Sequence, residues 1–267
     1  MIDRLRTFAE ERKTILCFGI DPVVEKLKSD SAPIKDRMLS YFCDITDKLL
    51  AENEITAIKP NYAFFAQYGF DGLYALKAIM EKYKNKVPII LDAKRGDIGK
   101  TSEAYAREAY DFWGADALTV HPYMGEDSVK PFLREGKLVY MLCRTSNSGA
   151  KDFEELKANR KFVYEHVAQK AVEWKTGIVV GATSDSIKRI IKITKGKDIP
   201  MLVPGIGAQG GDMEAVMKNL KKCNDIPAHR INASSSLSYA YEKTGGRADD
   251  AALAEAKKLN ECIRKYW

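Results

Sequence analysis

Acidic and basic residues alternate at the end of one strongly apolar run. The run VPIIL (87–91) is followed directly by Asp92, Lys94 and Asp97, and Lys59 ends the preceding apolar run. Buried charges cost desolvation energy unless they are paired, so this pattern is typical of a buried salt-bridge network or of an active site. Active sites use such groups to shift pKa values and to direct electric fields at a reacting atom. We therefore treat the two lysines and two aspartates as candidate catalytic residues.

A glycine-rich segment, PGIGAQGGD (204–212), forms a second candidate site. Its glycines surround Gln209 and leave backbone N–H groups free to approach an anion, and it leads into a helix whose amino end favours negative charge. Tight strand-to-helix turns also use glycine, but phosphate binding after the last two strands recurs in barrel folds. The sequence thus predicts a phosphate site containing Gln209, Gly210, Ser234 and Ser235.

The histidines and cysteines lack the spacing of a metal or nucleophilic site. His121 follows an apolar run and could face a site, whereas His166 and His229 are expected on a helix surface and a loop surface. No HxH, HExxH, CxxC or GxSxG motif occurs, so we expect no bound metal and no serine nucleophile. The cysteines, far apart and odd in number, are expected to be free thiols: Cys17, Cys43, Cys143, Cys223 and Cys262.

Eight short apolar runs recur along the chain, with helix-like segments between most of them. The runs are apolar on both faces, as expected for strands that lie between a barrel interior and outer helices. The segments 34–52, 69–86, 102–114 and 210–222 carry apolar residues three and four positions apart. This alternation predicts a single (β/α)₈ TIM barrel domain over residues 1–267, with its active site at the carboxyl ends of the strands. The predicted strands are 15–21, 55–61, 87–94, 116–122, 138–144, 177–183, 200–207 and 230–235.

Composition favours a small anionic substrate over a nucleic-acid or membrane partner. The 267 residues carry a formal net charge of +6, but the lysines are spread along helical segments such as 218–222 and 257–265. A solvated helical surface explains them better than a nucleic-acid stripe. No stretch of roughly 18 apolar residues occurs, and the first residues are charged and amphipathic rather than signal-like. We expect a cytoplasmic protein with no membrane or nucleic-acid partner.

Five segments in order resemble those of one enzyme family. The most specific is LDAKRGDIGKT (91–101), and the others are FGIDP (18–22), IKPNYAFF (58–65), TSNSGA (145–150) and PGIGAQGGD (204–212). Together they resemble the orotidine 5′-phosphate decarboxylases, in particular the longer bacterial subgroup with the motif DAKRGDIG. The resemblance implies decarboxylation of orotidine 5′-monophosphate (OMP) to uridine 5′-monophosphate (UMP) in de novo pyrimidine biosynthesis. It also implies a homodimer with shared active sites, without a metal ion or an organic cofactor.

The resemblance implies a role for each candidate residue. Lys94 would be the proton donor, flanked by Asp92 and Asp97, with Lys59 in the same group. A fixed cation beside C6 would stabilise the carbanion left by departing CO₂ and then protonate it. The implied substrate contacts are Asp21 to the ribose, Ser146 to the pyrimidine, Gln209 and Gly210 in the loop that closes over base and phosphate, and Asp97, Ile98 and Thr101 from the neighbouring subunit.

One position departs from the family pattern. Many members carry a phosphate-binding arginine after the eighth strand, in a pattern like SSR, and Ser235 stands in that place here. Arg230 begins the predicted strand, at the opposite end of the barrel, and is a poor substitute. A hydroxyl in place of a guanidinium predicts weaker phosphate binding, since each charged hydrogen bond contributes about 1.5 to 3 kcal/mol.

Two other functions remain open at this point. Related sugar-phosphate barrels share the DxKxxD strand but bind Mg²⁺ partly through an acid at the position of Lys59, where a cation would repel the metal. A nucleotide-binding protein without activity would explain the missing arginine. It would have little use, however, for a carboxylate such as Asp92 facing an anionic ligand.

Overall fold

A ring of eight parallel strands is the central feature of the computed structural model, which describes residues 1–27, 31–182, 186–206 and 212–267. Each strand falls on one predicted apolar run, and only the third extends past it, by one residue. The strands are β1 (Leu16–Ile20), β2 (Ala57–Pro60), β3 (Ile90–Arg95), β4 (Ala117–Val120), β5 (Leu138–Arg144), β6 (Gly177–Val180), β7 (Met201–Pro204) and β8 (Arg230–Ala233).

Parallel pairing runs around the ring and returns to its start. The strands are paired in the order β2-β1-β8-β7-β6-β5-β4-β3. Single parallel bridges then join β2 to the β3 side, between Ile58 and Ile89 and between Asn61 and Asp92. The predicted (β/α)₈ barrel is therefore confirmed.

Helices connect the strands and cover the outside of the ring. The predicted segments 34–52 and 69–86 each form one helix, whereas 102–114 is an α-helix that continues into a π-helical turn, Glu108–Phe112. Short 3₁₀ turns and a small hairpin (157–158 with 161–162) occupy some of the loops. The α-helices are α1 (Ile2–Arg12), α2 (Ile34–Ala51), α3 (Tyr62–Ala66), α4 (Gly69–Tyr83), α5 (Gly99–Arg107), α6 (Glu126–Val129), α7 (Val163–Trp174), α8 (Ser186–Thr194), α9 (Met213–Leu220), α10 (Ser235–Ser238), α11 (Tyr241–Thr244) and α12 (Ala248–Arg264).

The interior of the barrel changes from apolar to polar along the strands. Side chains such as Cys17, Ala57 and Ile90 form an inner cluster, separate from the core between strands and helices, and Leu5 of α1 belongs to it. Because side chains of a strand alternate between its two faces, the residue two positions after Ile90 also points inward. That residue is Asp92 on β3, and the same step from Ala57 leads to Lys59 on β2. The fold thus places charged residues at the mouth of the barrel, where the strands have their carboxyl ends.

His229 is not on the surface, contrary to the sequence-based expectation. Its side chain is buried directly before β8, and its Nδ1 accepts a hydrogen bond from the backbone N–H of Met201 at 3.0 Å. Burial lowers the pKa of His229 to about 4, so the ring is neutral at pH 7. The expectation failed because the turn just before it, Ile226–Ala228, packs against α1 at the closed end of the barrel.

Candidate active site

A cavity of about 510 Å³ opens at the carboxyl ends of the strands. Its floor is apolar and includes Leu142, Val179 and Leu202. Six polar residues that the sequence analysis did not select as site residues also line it: Asn61, Thr119, Thr145, Asn147, Glu154 and Asn232. Of the predicted site residues, those that line the cavity are Asp21, Lys59, Asp92, Lys94, Ser146, Ser234 and Ser235.

Asp92 holds two lysines at once. Its Oδ2 accepts a hydrogen bond from Nζ of Lys59 at 2.7 Å, and its Oδ1 accepts one from Nζ of Lys94 at 2.7 Å. Lys59 and Asp92 are buried, whereas the Lys94 side chain is 49% exposed and faces the cavity. The site therefore presents one accessible ammonium group backed by a buried ion pair.

The charges of this cluster stabilise one another. Burial disfavours the charged form of Asp92, but Lys59 and Lys94 outweigh it and hold the pKa of this carboxyl well below its usual range. Burial likewise works against the ammonium of Lys59, but Asp92 and Asp21 raise its pKa above the ordinary value. Lys59 and Asp92 are therefore both ionised at neutral pH.

Thr119 on β4 is hydrogen-bonded to both Asp92 and Lys94 of β3. Its Oγ1 donates to Oδ1 of Asp92 at 2.9 Å and accepts from the backbone N–H of Lys94 at 3.0 Å. Sequence analysis missed this residue, although its inward position two residues after Ala117 could have indicated it. Thr119 therefore fixes both the carboxylate and the backbone from which the lysine projects.

The backbone at Lys94 is strained. Its φ angle is +46°, in the left-handed region, and the pairing of β3 with β4 shifts register between Leu91 and Arg95. A residue with a side chain in this region costs about 1 to 3 kcal/mol and persists only where its surroundings enforce it. Such strain is concentrated at functional sites, which agrees with the position of Lys94 at the mouth.

Two oxygens at the cavity lack a hydrogen-bond partner in the part of the chain that the structure describes. They are Oδ1 of Asp21 and Oδ1 of Asn232, and both are buried. The Asn232 side-chain NH₂ group donates to Oγ of Ser234 at 3.1 Å, so the Oδ1 atom is the part of this amide that lacks a partner. An unpaired buried acceptor costs about 1 to 3 kcal/mol, which a ligand hydroxyl would relieve. This part of the cavity is suited to a polyol such as a ribose.

Gly19 leaves room for the side chains of Asn232 and Ser234. A Cβ atom at this position would lie 1.9 Å from Oγ of Ser234 and 2.9 Å from the Asn232 amide. Any other residue at position 19 would displace both side chains, so Gly19, two residues before Asp21, is part of the site.

Three predicted residues do not line the cavity of their own chain. The Asp97 carboxylate accepts a hydrogen bond from the backbone N–H of Ile98 at 2.8 Å, and Ile98 is 59% exposed. Thr101 lies one turn further, on α5, and is also exposed. Within one chain the structure thus brings together three of the four predicted catalytic residues and leaves Asp97 outside the cavity.

The opposite side of the cavity mouth is uncharged where it is described. Gly205, Ile206, Ser234 and Ser235 line it, while Gln209 and Gly210 lie outside the described residues. Arg230 does not supply a cation to this side, because its guanidinium is buried at the other end of the barrel. There it donates to the carbonyls of residues 5, 227 and 229. Among the described lining residues, the cations are those bound to Asp92.

His121 does not line this cavity. Its Nδ1 accepts a hydrogen bond from the backbone N–H of Tyr123 at 3.1 Å, and the residue is exposed. The described ranges contain no cluster of three or more histidine, cysteine or carboxylate side chains arranged to hold a metal ion. Nor does any helix in those ranges have the length and apolar character needed to cross a membrane.

A parallel barrel with paired lysines and a carboxylate at its carboxyl-terminal mouth defines an enzyme of the TIM-barrel class. Residues 14–244 match the model of the orotidine 5′-phosphate decarboxylase / HUMPS family. The chain belongs to this family, and the resemblance inferred from its motifs is confirmed.

Relatives of known name match the chain over nearly its whole length. The orotidine 5′-phosphate decarboxylase of Janthinobacterium sp. (strain Marseille) is 39% identical over 272 residues, which cover 99% of this chain and 98% of the relative. That of Cupriavidus metallidurans is 40% identical, covering 99% and 97%. Among solved structures, OMP decarboxylase of Leishmania donovani superposes with a TM-score of 0.79 at 31% identity, covering 98% of each chain.

Proposed function

We propose that this protein decarboxylates OMP to UMP in de novo pyrimidine biosynthesis. The observation that carries the proposal is the Lys59–Asp92–Lys94 cluster, with one accessible ammonium at the mouth of the barrel. The full-length similarity to orotidine 5′-phosphate decarboxylases supports the same reaction.

Lys94 performs the chemical step in this proposal. The bond from C6 to the carboxylate breaks, CO₂ leaves, and the electron pair remains on C6 as a carbanion. The ammonium of Lys94 stabilises that charge and transfers a proton from Nζ to C6, and the neutral amine regains a proton from water. Lys59 and Thr119 act through Asp92, which they hold in place beside the lysine.

The remaining cavity residues bind the nucleotide. Asp21 and Asn232, with their unpaired buried oxygens, bind the ribose hydroxyls, and Ser146 contacts the pyrimidine. Ser234 and Ser235 offer hydroxyls to the phosphate. Gln209 and Gly210 are proposed to belong to the loop over base and phosphate.

A metal-independence test separates this function from a sugar-phosphate lyase. Lys59, buried against Asp92, places a cation where such lyases need an acid for Mg²⁺, so the metal would be repelled. EDTA-treated protein is therefore expected to consume OMP, followed by ultraviolet absorbance, at the rate of untreated protein. Activity restored only by added Mg²⁺ would favour the lyase, and tight UMP binding without turnover would favour a non-catalytic binding protein.

The active unit is proposed to be a homodimer with shared sites. Asp97, Ile98 and Thr101 lie outside the cavity of their own chain, so they can act on substrate only from a second subunit. Exposed apolar side chains near this segment, Ile98 and Met124 among them, provide a surface that a partner would bury. In the proposed dimer, Asp97 would lie beside Lys94 of the other subunit.

Introducing an arginine at position 235 is expected to strengthen phosphate binding. Ser235→Arg would place a guanidinium at the uncharged side of the cavity, where Ser235 is exposed and has room for it. We expect the Kd for UMP, measured by calorimetry, to fall about 10- to 100-fold. Uridine binding should not change, and Ser235→Met serves as the uncharged control. Equal effects on UMP and uridine would contradict a phosphate contact at this position.

A cytoplasmic location completes the proposal. All five cysteines are free thiols, and four of them are buried. Unpaired thiols are typical of a reducing compartment.

A further inference from the structure

We propose that Arg95 and Glu108 form a clamp on the outside of the barrel that positions Lys94 for catalysis, an inference that rests on the proposed decarboxylase function. Neither residue lines the cavity. Both are therefore positioning residues, which act on substrate only through the lysine.

The clamp is an ion pair enclosed by aromatic rings. Arg95 donates to both carboxylate oxygens of Glu108, from Nη2 at 2.8 and 2.9 Å and from Nε at 3.2 Å. Its guanidinium carbon lies 4.4 Å from the ring centre of Tyr62 and 4.7 Å from that of Tyr105. Trp113 Nε1 also donates to Oε1 of Glu108, at 3.1 Å. A planar, bidentate cation between two rings has little freedom to rotate.

The clamp is adjacent to the strained backbone. Arg95 directly follows Lys94, whose φ is +46°, and the register shift of β3 ends at Arg95. The Arg95 carbonyl also accepts a hydrogen bond from the N–H of His121 at 2.7 Å. The Arg95 side chain is thus fixed to helices outside the barrel, while its neighbour faces the cavity.

Two anchors hold the strained residue from opposite sides. Thr119 holds the backbone N–H of Lys94 from inside the barrel, and Arg95 holds the following residue from outside. Strain of this kind relaxes when its surroundings no longer enforce it. Without the guanidinium, the peptide at Lys94 would move toward ordinary strand geometry, and its ammonium would shift from its place beside Asp92.

The test replaces Arg95 and compares turnover with binding. Arg95→Met keeps much of the apolar contact with the two tyrosines but removes the ion pair. We expect kcat to fall about 10- to 100-fold, as for displacement of a catalytic group by about 1 Å. The Kd for UMP should stay within about 3-fold of the wild-type value, because no group that contacts the nucleotide is removed. Glu108→Gln keeps the size of the side chain and one accepting oxygen but removes the charge, so it should give a smaller loss of kcat alone.

Arg6→Met provides the matched control. Arg6 makes a similar pair with Asp225, at 2.7 Å from Nη2 and 3.2 Å from Nε, at the opposite end of the barrel. A normal kcat in Arg6→Met beside a reduced kcat in Arg95→Met supports the clamp. The inference is overturned if Arg95→Met has a wild-type kcat, if kcat and UMP affinity fall together, or if Arg6→Met loses as much activity. Failure of the proposed function is distinct, since the wild-type protein itself would then not consume OMP.

Discussion

Replacing Lys94 with alanine is expected to lower kcat for OMP decarboxylation by about 10⁴-fold or more. The substitution removes both the cation that stabilises the C6 carbanion and the proton that quenches it, so two catalytic contributions disappear together. Single-turnover measurements of OMP absorbance with excess enzyme would detect even very slow residual activity.

The same variant should remain folded and bind UMP. Asp92 keeps its hydrogen bonds from Lys59 at 2.7 Å and from Thr119 at 2.9 Å, so the buried carboxylate is still neutralised. Removing Lys59 instead would leave Asp92 paired only with the half-exposed Lys94, which makes that variant a poorer test. Circular dichroism and calorimetry with UMP would verify the fold and the site.

Lys218→Ala is a suitable control for the loss of a lysine. Lys218 lies exposed on α9 and pairs with Glu214 at 2.7 Å, far from the described cavity lining. This variant should turn over OMP at the wild-type rate. Turnover close to wild type in purified Lys94→Ala would contradict the role assigned to that lysine.

The sequence was sufficient to predict the barrel and much of its mouth. Each strand falls on a run that is apolar on both faces, because every barrel strand is covered from inside and outside. The two-residue period of a strand then places Lys59 and Asp92 on the inner faces of neighbouring strands. The apolar runs and the inward positions both follow from residues close together in the chain, so the local sequence pattern is sufficient to predict them.

Features that depend on partners distant in sequence were not predicted. Thr119 is 27 residues from the carboxylate to which it donates, and no local pattern identifies such a pairing. The left-handed backbone of Lys94 arises from a register shift against β4, which periodicity does not encode. The buried position of His229 depends similarly on how the preceding turn packs against α1.

Asp97→Ala is expected to lower kcat by about 10² to 10³-fold if its carboxylate completes the site of a partner subunit. In a single chain Asp97 contacts the N–H of Ile98 and does not line the cavity, so the single chain alone predicts a small effect. The size of the loss therefore measures how much the second subunit contributes. Assays of the purified variant beside wild-type protein would determine it.

Co-expression of Asp97→Ala with Lys94→Ala makes the test specific for shared sites. In a heterodimer of these two chains, one site carries both substitutions and the other carries neither. Random pairing should therefore restore about a quarter of the wild-type sites, although each variant alone is nearly inactive. Differently tagged chains would allow the heterodimer to be purified and assayed directly.

A pairing in which no intact site can form is the decisive control. Lys94→Ala combined with the double variant Lys94→Ala/Asp97→Ala lacks the lysine in both sites and should stay inactive. If each site were built from one chain only, the heterodimer of the two single variants would also stay inactive, because one site would lack the lysine and the other the aspartate. Restored activity in that heterodimer alone therefore requires that Lys94 of one chain and Asp97 of the other act on the same substrate.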